Sequence, residues 1–355
     1  MAGLTTLERV LLVIVAILAA LAGIADHQVW APVPRFLVAT LALAGLAWVV
    51  SFATEQLGER FGPALTGMLQ STLGNLPELF VVIFALQKGE LVVAQTAIVG
   101  SVFANALLVL GLAIVLGARH APDGVMRFGT RLPNDTATLL LVAVFIIVLL
   151  GLSLGAHDPA SHHVKTISAV GAVCLLGVYL AWVIPYLRSD VAPSAEQQHA
   201  AQPKLTLRTT LVLLLGAGVV AAFVSDWFVN ALKPAITQLH VSQAFAGLVI
   251  VAIAGNAVEH IAGMVLAAKG RPDLAISVIK NSVAQIAAFL FPVLVLVSFT
   301  LTTTLTFELA PVYIGALALT ALAVWQVTGD GEAVAFEGWA LVAIYVVLAT
   351  LTLYE

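Results

Sequence analysis

Long stretches without charge constrain this sequence more than any other feature. The runs Leu139–Leu152 and Thr209–Val224 contain no charged residue, and similar runs approach the ~20 residues that cross a bilayer as a helix. Only 10% of the residues are charged and 61% are hydrophobic, whereas a soluble domain has roughly 25% charged residues. The sequence therefore predicts an integral membrane protein, and it excludes a secreted or cytosolic one.

The remaining composition removes two further classes of function. A net charge of -4 gives no basic surface for nucleic acid. The single cysteine, Cys174, lies inside an apolar run, so disulfides and cysteine metal clusters are excluded.

The fold class predicted from the apolar runs is an all-α polytopic membrane protein with about 11 transmembrane helices. Charged or Pro/Gly-containing breaks separate these runs. The predicted spans cover residues 7–24, 34–53, 62–86, 91–117, 136–155, 164–187, 207–229, 241–268, 273–299, 309–328 and 334–354.

The distribution of Lys and Arg predicts the orientation. With these spans, 10 of them fall on one side and 4 on the other. Cytoplasmic loops collect positive residues, so we expect the N-terminus in the cytoplasm and the C-terminus outside. We expect the membrane to be a bacterial plasma membrane.

An internal repeat is the strongest pattern in the chain. Residues 74–111 align without gaps with residues 255–292, at an offset of 181, and 10 of the 38 positions are identical. Polar residues are scarce in these spans, so the polar identities are informative. They are Asn75/Asn256, Glu78/Glu259, Lys88/Lys269 and Ser101/Ser282.

The position of the repeats predicts their direction. The third and eighth spans are an odd number of spans apart, so the two copies cross the membrane in opposite directions. Inverted repeats are typical of secondary transporters, whose substrate site lies near the midplane and is exposed alternately to each side. The predicted organisation is an extra helix in 1–28, five-helix repeats in 29–190 and 207–355, and a cytoplasmic linker in 191–206.

Glu78 and Glu259 lie well inside their spans. Ionisable groups at that depth normally face the protein interior or a water-filled cavity. One such residue could be a neutral, hydrogen-bonded glutamate, but a pair related by the repeat favours a function.

Other oxygen donors accompany the two glutamates. Asn75 and Asn256 precede them by three residues, so each Asn–Glu pair shares a helical face. Carboxylate, amide and hydroxyl oxygens suit a hard cation such as Ca²⁺, which takes six to eight oxygen ligands. The remaining candidate oxygen ligands lie on the spans that follow. Ser101 and Asn105 share one helical face there, and so do Ser282 and Gln285.

Backbone carbonyls are expected to be free near both pairs. Gly74 and Gly255 weaken their helices just before the Asn–Glu pairs, although small residues also permit close helix packing. Pro77 cannot donate a helical hydrogen bond, so the carbonyl of Leu73 loses its usual partner.

The electrostatics of two close carboxylates suggest a mechanism. In a low dielectric both cannot stay ionised without a counter-charge. A divalent cation or protons can neutralise the two carboxylates. The cation and the protons therefore compete for the same carboxylate oxygens. We hypothesise that Glu78 and Glu259 alternate between binding calcium and carrying protons.

These residues give the chain a family resemblance, which runs from Ala53 to near the C-terminus. It resembles the calcium/proton exchanger (CAX) family of the calcium:cation antiporter superfamily. The stretch Leu73–Leu79 matches that family's GNxPEL motif, and Gly255–His260 matches GNAxEH. The family's continuations fall on Gly100-Ser101, Asn105–Gly111, Ser282, Gln285–Ala287 and Phe291-Pro292.

The resemblance implies an eleven-helix transporter with one extra helix and two inverted five-helix repeats, which uses a proton gradient to export calcium. It implies that His260 is a candidate for proton coupling. It also implies that ions and protons bind at eight polar residues, which are Glu78, Glu259, Asn75, Asn256, Ser101, Asn105, Ser282 and Gln285. No cofactor is expected, since Ca²⁺ and H⁺ are substrates. The bilayer is the expected surrounding, no nucleic acid is bound, and homo-oligomerisation is left open.

Several features depart from the family pattern. Gln70 and Ser71 replace a frequent Asn-Ala, and the linker lacks the acidic segment of many relatives. Lys280 lies two residues before Ser282, and we interpret it as snorkelling toward an interface. The histidine-rich loop 157–163 and the acidic loop before the last span are interpreted as solvated loops.

Three alternatives stay open from sequence. Sodium/calcium or manganese/proton exchange could use the same oxygens. A channel fits two opposed repeats less well than alternating access does. An intramembrane enzyme would need a nucleophile with a base or a histidine-rich metal motif, and no span offers one.

Overall fold

The computed structural model describes residues 4–58, 73–188 and 204–355. Helices dominate these residues, as expected for long apolar runs that must satisfy their own backbone hydrogen bonds in lipid. In chain order they are α1 Thr6–His27, α2 Pro32–Gly58, α3 Leu76–Gln87, α4 Leu91–His120, α5 Arg131–Ala156, α6 Val164–Arg188, α7 Leu207–Leu239, α8 Gln243–Gly255, α9 Ala257–Ala268, α10 Pro272–Ser298, α11 Pro311–Thr328 and α12 Ala335–Leu353.

The described helices confirm the all-α membrane fold. Nine of them are long and apolar enough to cross a membrane, and α8 with α9 forms a tenth candidate bent by 63°. The predicted third span, 62–86, is described only from Leu73 onward. The total of eleven transmembrane spans therefore stays a prediction. Gln70, Ser71 and most of the predicted linker lie outside the described residues.

The internal repeat is visible in the helix boundaries. Helices α3 and α9 have the same length, and both of their ends differ by the 181 residues found in the sequence. Helices α4 and α10 also start 181 residues apart. Each of these two contains a π-helical segment, Ala104–Val109 in α4 and Ile286–Leu290 in α10. Short π-helical segments inside α-helices are rare and frequent at functional sites.

The chain packs as two compact units, and each takes segments from both predicted repeats. The first comprises Met1–Phe84, Ala181–Gln243 and Ala254–Val258. Its core is the pairing of α2 with α7, against which α1 packs. The rings of Phe36 and Phe228 lie 5.1 Å apart across that pairing, and Gly45 lets α2 approach Val15 of α1.

The second unit comprises Ala85–Leu180, Ala244–Ile253 and Glu259–Glu355. Its most enclosed helices are α4 and α10, whereas α5, α11 and α12 have mostly exposed surfaces that suit lipid. Helix α4 crosses α8 very closely, at Gly100 and at Gly247 of the π-helical segment Ala246–Val251. Helix α4 also packs on α12 through Gly111 and Gly338. Small residues permit such close approach where no hydrophobic effect drives association.

Loops predicted to lie on the same side of the membrane meet within each unit. In the first unit, Lys204 Nζ lies 2.6 Å from Glu8 Oε1 and its backbone N–H donates to Gln56. At the other end Arg35 donates to the carbonyl of Asn230 and lies 3.7 Å from Asp26. These contacts agree with the alternating crossings inferred from the sequence.

A two-stranded sheet joins two loops of the second unit. Strand β1, Val125–Arg127, pairs antiparallel with β2, Glu332–Val334. Arg127 forms ion pairs with Asp123 and Glu332, and its hydrogen bond lowers the pKa of the Asp123 carboxyl. The acidic loop before the last helix is therefore structured, and its residues Asp330 and Glu332 are exposed, as expected for a solvated loop. Three-residue strands are too short to leave a periodic pattern.

Candidate ion-binding site

Both predicted glutamates occupy the same position relative to a helix break. The helical stretch 73–74 is interrupted at Asn75 before α3 begins, and α8 is interrupted at Asn256 before α9 begins. Glu78 and Glu259 are each the third residue of the following helix. The positive end of a helix dipole stabilises a carboxylate there, which offsets part of the cost of burying it.

The first unit holds Glu78 against the break of the second repeat. Asn256 donates a long hydrogen bond, 3.5 Å, from Nδ2 to Glu78 Oε2. Gly255 lies beside it, and a Cβ there would be 3.6 Å from the Cβ of Glu78. Asn75 and Gly74 are buried at the start of α3, and the carbonyl of Pro77 accepts from Ser225 at 3.5 Å. Residues from the two repeats therefore meet in this unit.

The second unit holds Glu259, which is buried at 7% exposure. Among the described residues, neither carboxyl oxygen has a hydrogen-bond partner of good geometry. The Ser282 hydroxyl is the neighbouring group that interacts with this carboxyl, although its geometry falls short of a hydrogen bond. Leaving a buried polar group unsatisfied costs about 1–3 kcal/mol, and more for a charged group.

Asn105 lies inside the π-helical segment of α4. Its Nδ2 donates to the carbonyl of Ser101 at 3.0 Å. Its Oδ1 is buried with no hydrogen-bond partner in the described part of the chain. The amide is thus fixed through its nitrogen, and its oxygen is left available as an acceptor.

Packing brings the polar stretches of the second unit into one core. A Cβ on Gly263 would lie 2.7 Å from Ile279 of α10 and 3.8 Å from Val109 of α4, so α9 packs against both helices. Helix α10 in turn packs against the π-helical segment of α4. Ser101, Ser282 and Gln285 are all buried on these helices.

Comparison with known proteins shows the family of this chain. The sodium/calcium exchanger protein family matches residues 32–185 and 209–354. The chain belongs to the sodium/calcium exchanger family. This exchanger is 30% identical over 342 residues to a Ca²⁺/H⁺ antiporter of Synechocystis sp., covering 90% of the chain and 91% of that protein. It is therefore a secondary transporter and not an enzyme.

A second relative and a solved structure support the same family. The Ca²⁺/H⁺ antiporter ChaA of Bacillus subtilis is 27% identical over 345 residues, covering 97% of the chain and 98% of that protein. The crystal structure of the selenium-substituted Ca²⁺/H⁺ antiporter protein YfkE superposes with a TM-score of 0.81 at 26% identity. It covers 98% of the chain and 100% of that protein. The resemblance to calcium/proton exchangers found in the sequence is confirmed.

Two nitrogen-bearing side chains of this exchanger, those of His260 and Lys280, lie in the interior of the second unit. His260 is buried, and its Nε2 has no partner among the described residues. Lys280 is also buried, at 1% exposure, and its Nζ donates to Thr328 Oγ1 at 3.2 Å. The interpretation of Lys280 as a snorkelling residue was therefore wrong. The helical periodicity of α10 gives the direction of the Lys280 side chain. It does not show that the end of α11, with Thr328, lies in that direction.

The described residues contain no group of three or more His, Cys, Asp or Glu able to hold a metal. This includes the histidine-rich loop, where the His157 ring instead contacts the carbonyl of Gly155. Within the described residues, a cation site would therefore combine at most two such side chains with amide, hydroxyl or backbone oxygens.

Sequence reasoning missed the π-helical segments and the partner of Lys280. A π-helical segment has no residue signature of its own, but the two segments end at corresponding places in the repeats, directly before Leu110 and directly before Phe291. The tether of Lys280 to Thr328 depends on tertiary packing.

Proposed function

We propose that this exchanger moves cytosolic calcium out in exchange for protons, by alternating access at a midplane site that contains Glu78 and Glu259. The observation that carries the proposal is the duplicated Asn–Glu pair after a helix break, with Asn256 hydrogen-bonded to Glu78. Glu259 follows Asn256 by three residues in the chain. The relatives named Ca²⁺/H⁺ antiporters give the ions.

The proposed ligands are oxygens of both repeats. Besides the glutamates they are Asn75, Asn256, Ser101, Asn105, Ser282 and Gln285, with backbone carbonyls at the breaks marked by Leu73, Gly74, Pro77 and Gly255. This all-oxygen set suits Ca²⁺. It contains no cluster of nitrogen or sulfur ligands of the kind that zinc prefers.

Charge neutrality couples the two ions. One Ca²⁺ or two protons neutralise two buried carboxylates, and an empty, doubly ionised site is costly in a low dielectric. The loaded carrier can therefore change its access while the empty carrier cannot. His260, next to Glu259, is proposed as a relay for protons.

The proposal includes a direction. We place the N-terminus in the cytoplasm of a bacterial cell and the C-terminus outside, on the excess of Lys and Arg in the loops of one side. The proton gradient across that membrane would then drive calcium outward.

Ion-by-ion flux in proteoliposomes tests the function. We expect vesicles with an acidic interior to accumulate ⁴⁵Ca²⁺ without sodium, and a protonophore to abolish the uptake. A sodium requirement with no effect of the protonophore would indicate sodium/calcium exchange. Faster transport of Mn²⁺ than of Ca²⁺ would indicate a manganese/proton exchanger, and calcium flux independent of both gradients would indicate a channel.

A further inference from the structure

The ammonium group of Lys280 is enclosed within the second unit and the proposed exchange mechanism does not use it. It lies on α10, two residues before Ser282, and only 1% of the residue is exposed. None of the described carboxylates forms an ion pair with it. A buried lysine without an acidic partner is uncommon, because burying an unpaired charge is expensive.

The partner of Lys280 explains how the group is held. Thr328 is the last residue of α11, and its hydroxyl donates to the carbonyl of Val324 at 2.7 Å. The hydroxyl oxygen can therefore only accept from Lys280. The C-terminal end of a helix carries partial negative charge, which favours a cation there. The ammonium is thus fixed in position by α11.

We propose that Lys280 is a specificity-determining residue whose ammonium group, held in place by Thr328, weakens the binding of divalent cations more than that of monovalent ones. The inference rests on the proposed function, because it takes Ser282 and Gln285 of α10 as part of the cation site. The energy of two charges is proportional to their product. Removing Lys280 should therefore change the logarithm of the affinity twice as much for Ca²⁺ as for Na⁺.

Such a residue has a physical use in an exchanger. A carrier must release its cation after each crossing, and a site of carboxylate and amide oxygens alone holds Ca²⁺ tightly. A tethered ammonium near the site lowers that affinity without occupying a ligand position.

The test is cation binding to the purified full chain in detergent at one fixed pH. We expect Lys280→Met to lower the dissociation constant for ⁴⁵Ca²⁺ about tenfold and the inhibition constant for competing Na⁺ about threefold. Lys280→Gln, which keeps a donor for Thr328, should give the same direction. Lys280→Arg should stay near wild type, and Lys165→Met removes the charge of an exposed lysine in the same unit as the matched control.

The outcomes separate the two proposals. Unchanged or weaker Ca²⁺ binding in monodisperse Lys280→Met and Lys280→Gln proteins, while the wild type binds Ca²⁺, overturns the role of Lys280 alone. Equal shifts for Na⁺ and Ca²⁺ also overturn it, because a purely structural change does not depend on valence. A wild-type protein that binds no Ca²⁺ overturns the proposed function, and with it this inference.

Discussion

Replacing Glu259 by glutamine is expected to reduce proton-driven calcium transport by about 100-fold or more. Glutamine keeps the size of the side chain and one oxygen, but it loses the charge that holds Ca²⁺ and the group that carries a proton. Removing one partner of a buried charge pair costs about 3–5 kcal/mol, and each 1.4 kcal/mol is a factor of about ten. Initial rates of ⁴⁵Ca²⁺ uptake in proteoliposomes with an acidic interior give the measurement.

The matched control for this variant is Glu308→Gln. Glu308 belongs to the same unit but is exposed in the loop before α11, so the substitution removes an equal charge from a solvated position. We expect near wild-type uptake from it. Wild-type uptake by Glu259→Gln at equal protein density would contradict the proposed role of this glutamate.

Substituting Gly100 by alanine is expected to destabilise the protein by about 1–3 kcal/mol, the usual cost of overpacking. The added Cβ would lie 2.5 Å from the Cα and carbonyl oxygen of Leu248. Both contacts are backbone atoms, so α4 and α8 must separate. Thermal unfolding in detergent should show a melting temperature lowered by about 5 °C.

Gly177→Ala is the control for the glycine substitution. Gly177 is an exposed residue of α6, and a Cβ added there would meet no atom of another helix within 4 Å. Alanine is also the better helix former, by about 1 kcal/mol, so the melting temperature should stay the same or rise. Equal melting temperatures for the Gly100→Ala and Gly177→Ala proteins would contradict the close crossing of α4 and α8.

Much of the fold follows from apolar length and from glycine. The span predicted at 91–117 is α4, Leu91–His120, because a bilayer requires about 20 apolar residues and the flanking charges end the run. The interruption at Asn256 directly follows Gly255, as expected where a glycine weakens a helix. The predicted seventh span ended at 229 whereas α7 continues to Leu239, since Pro234 is accommodated within the helix.

Features that depend on tertiary contacts could not be predicted. The hydrogen bond from Asn256 to Glu78 joins residues 178 apart in sequence, and spacing along one helix carries no information about it. The π-helical segments arise from a local change of hydrogen bonding that apolar sequence does not mark. The burial of Lys280 depends on where α11 ends beside α10.

Proton release on calcium binding tests the central claim most directly, since that claim is competition of both ions for the same carboxylates. The purified exchanger is titrated with CaCl₂ in weakly buffered detergent solution, and a pH indicator reports the protons released. We expect release that falls as the starting pH is raised, and less release from Glu78→Gln and from Glu259→Gln. Calcium binding without proton release, or wild-type release from the double variant, would contradict the account.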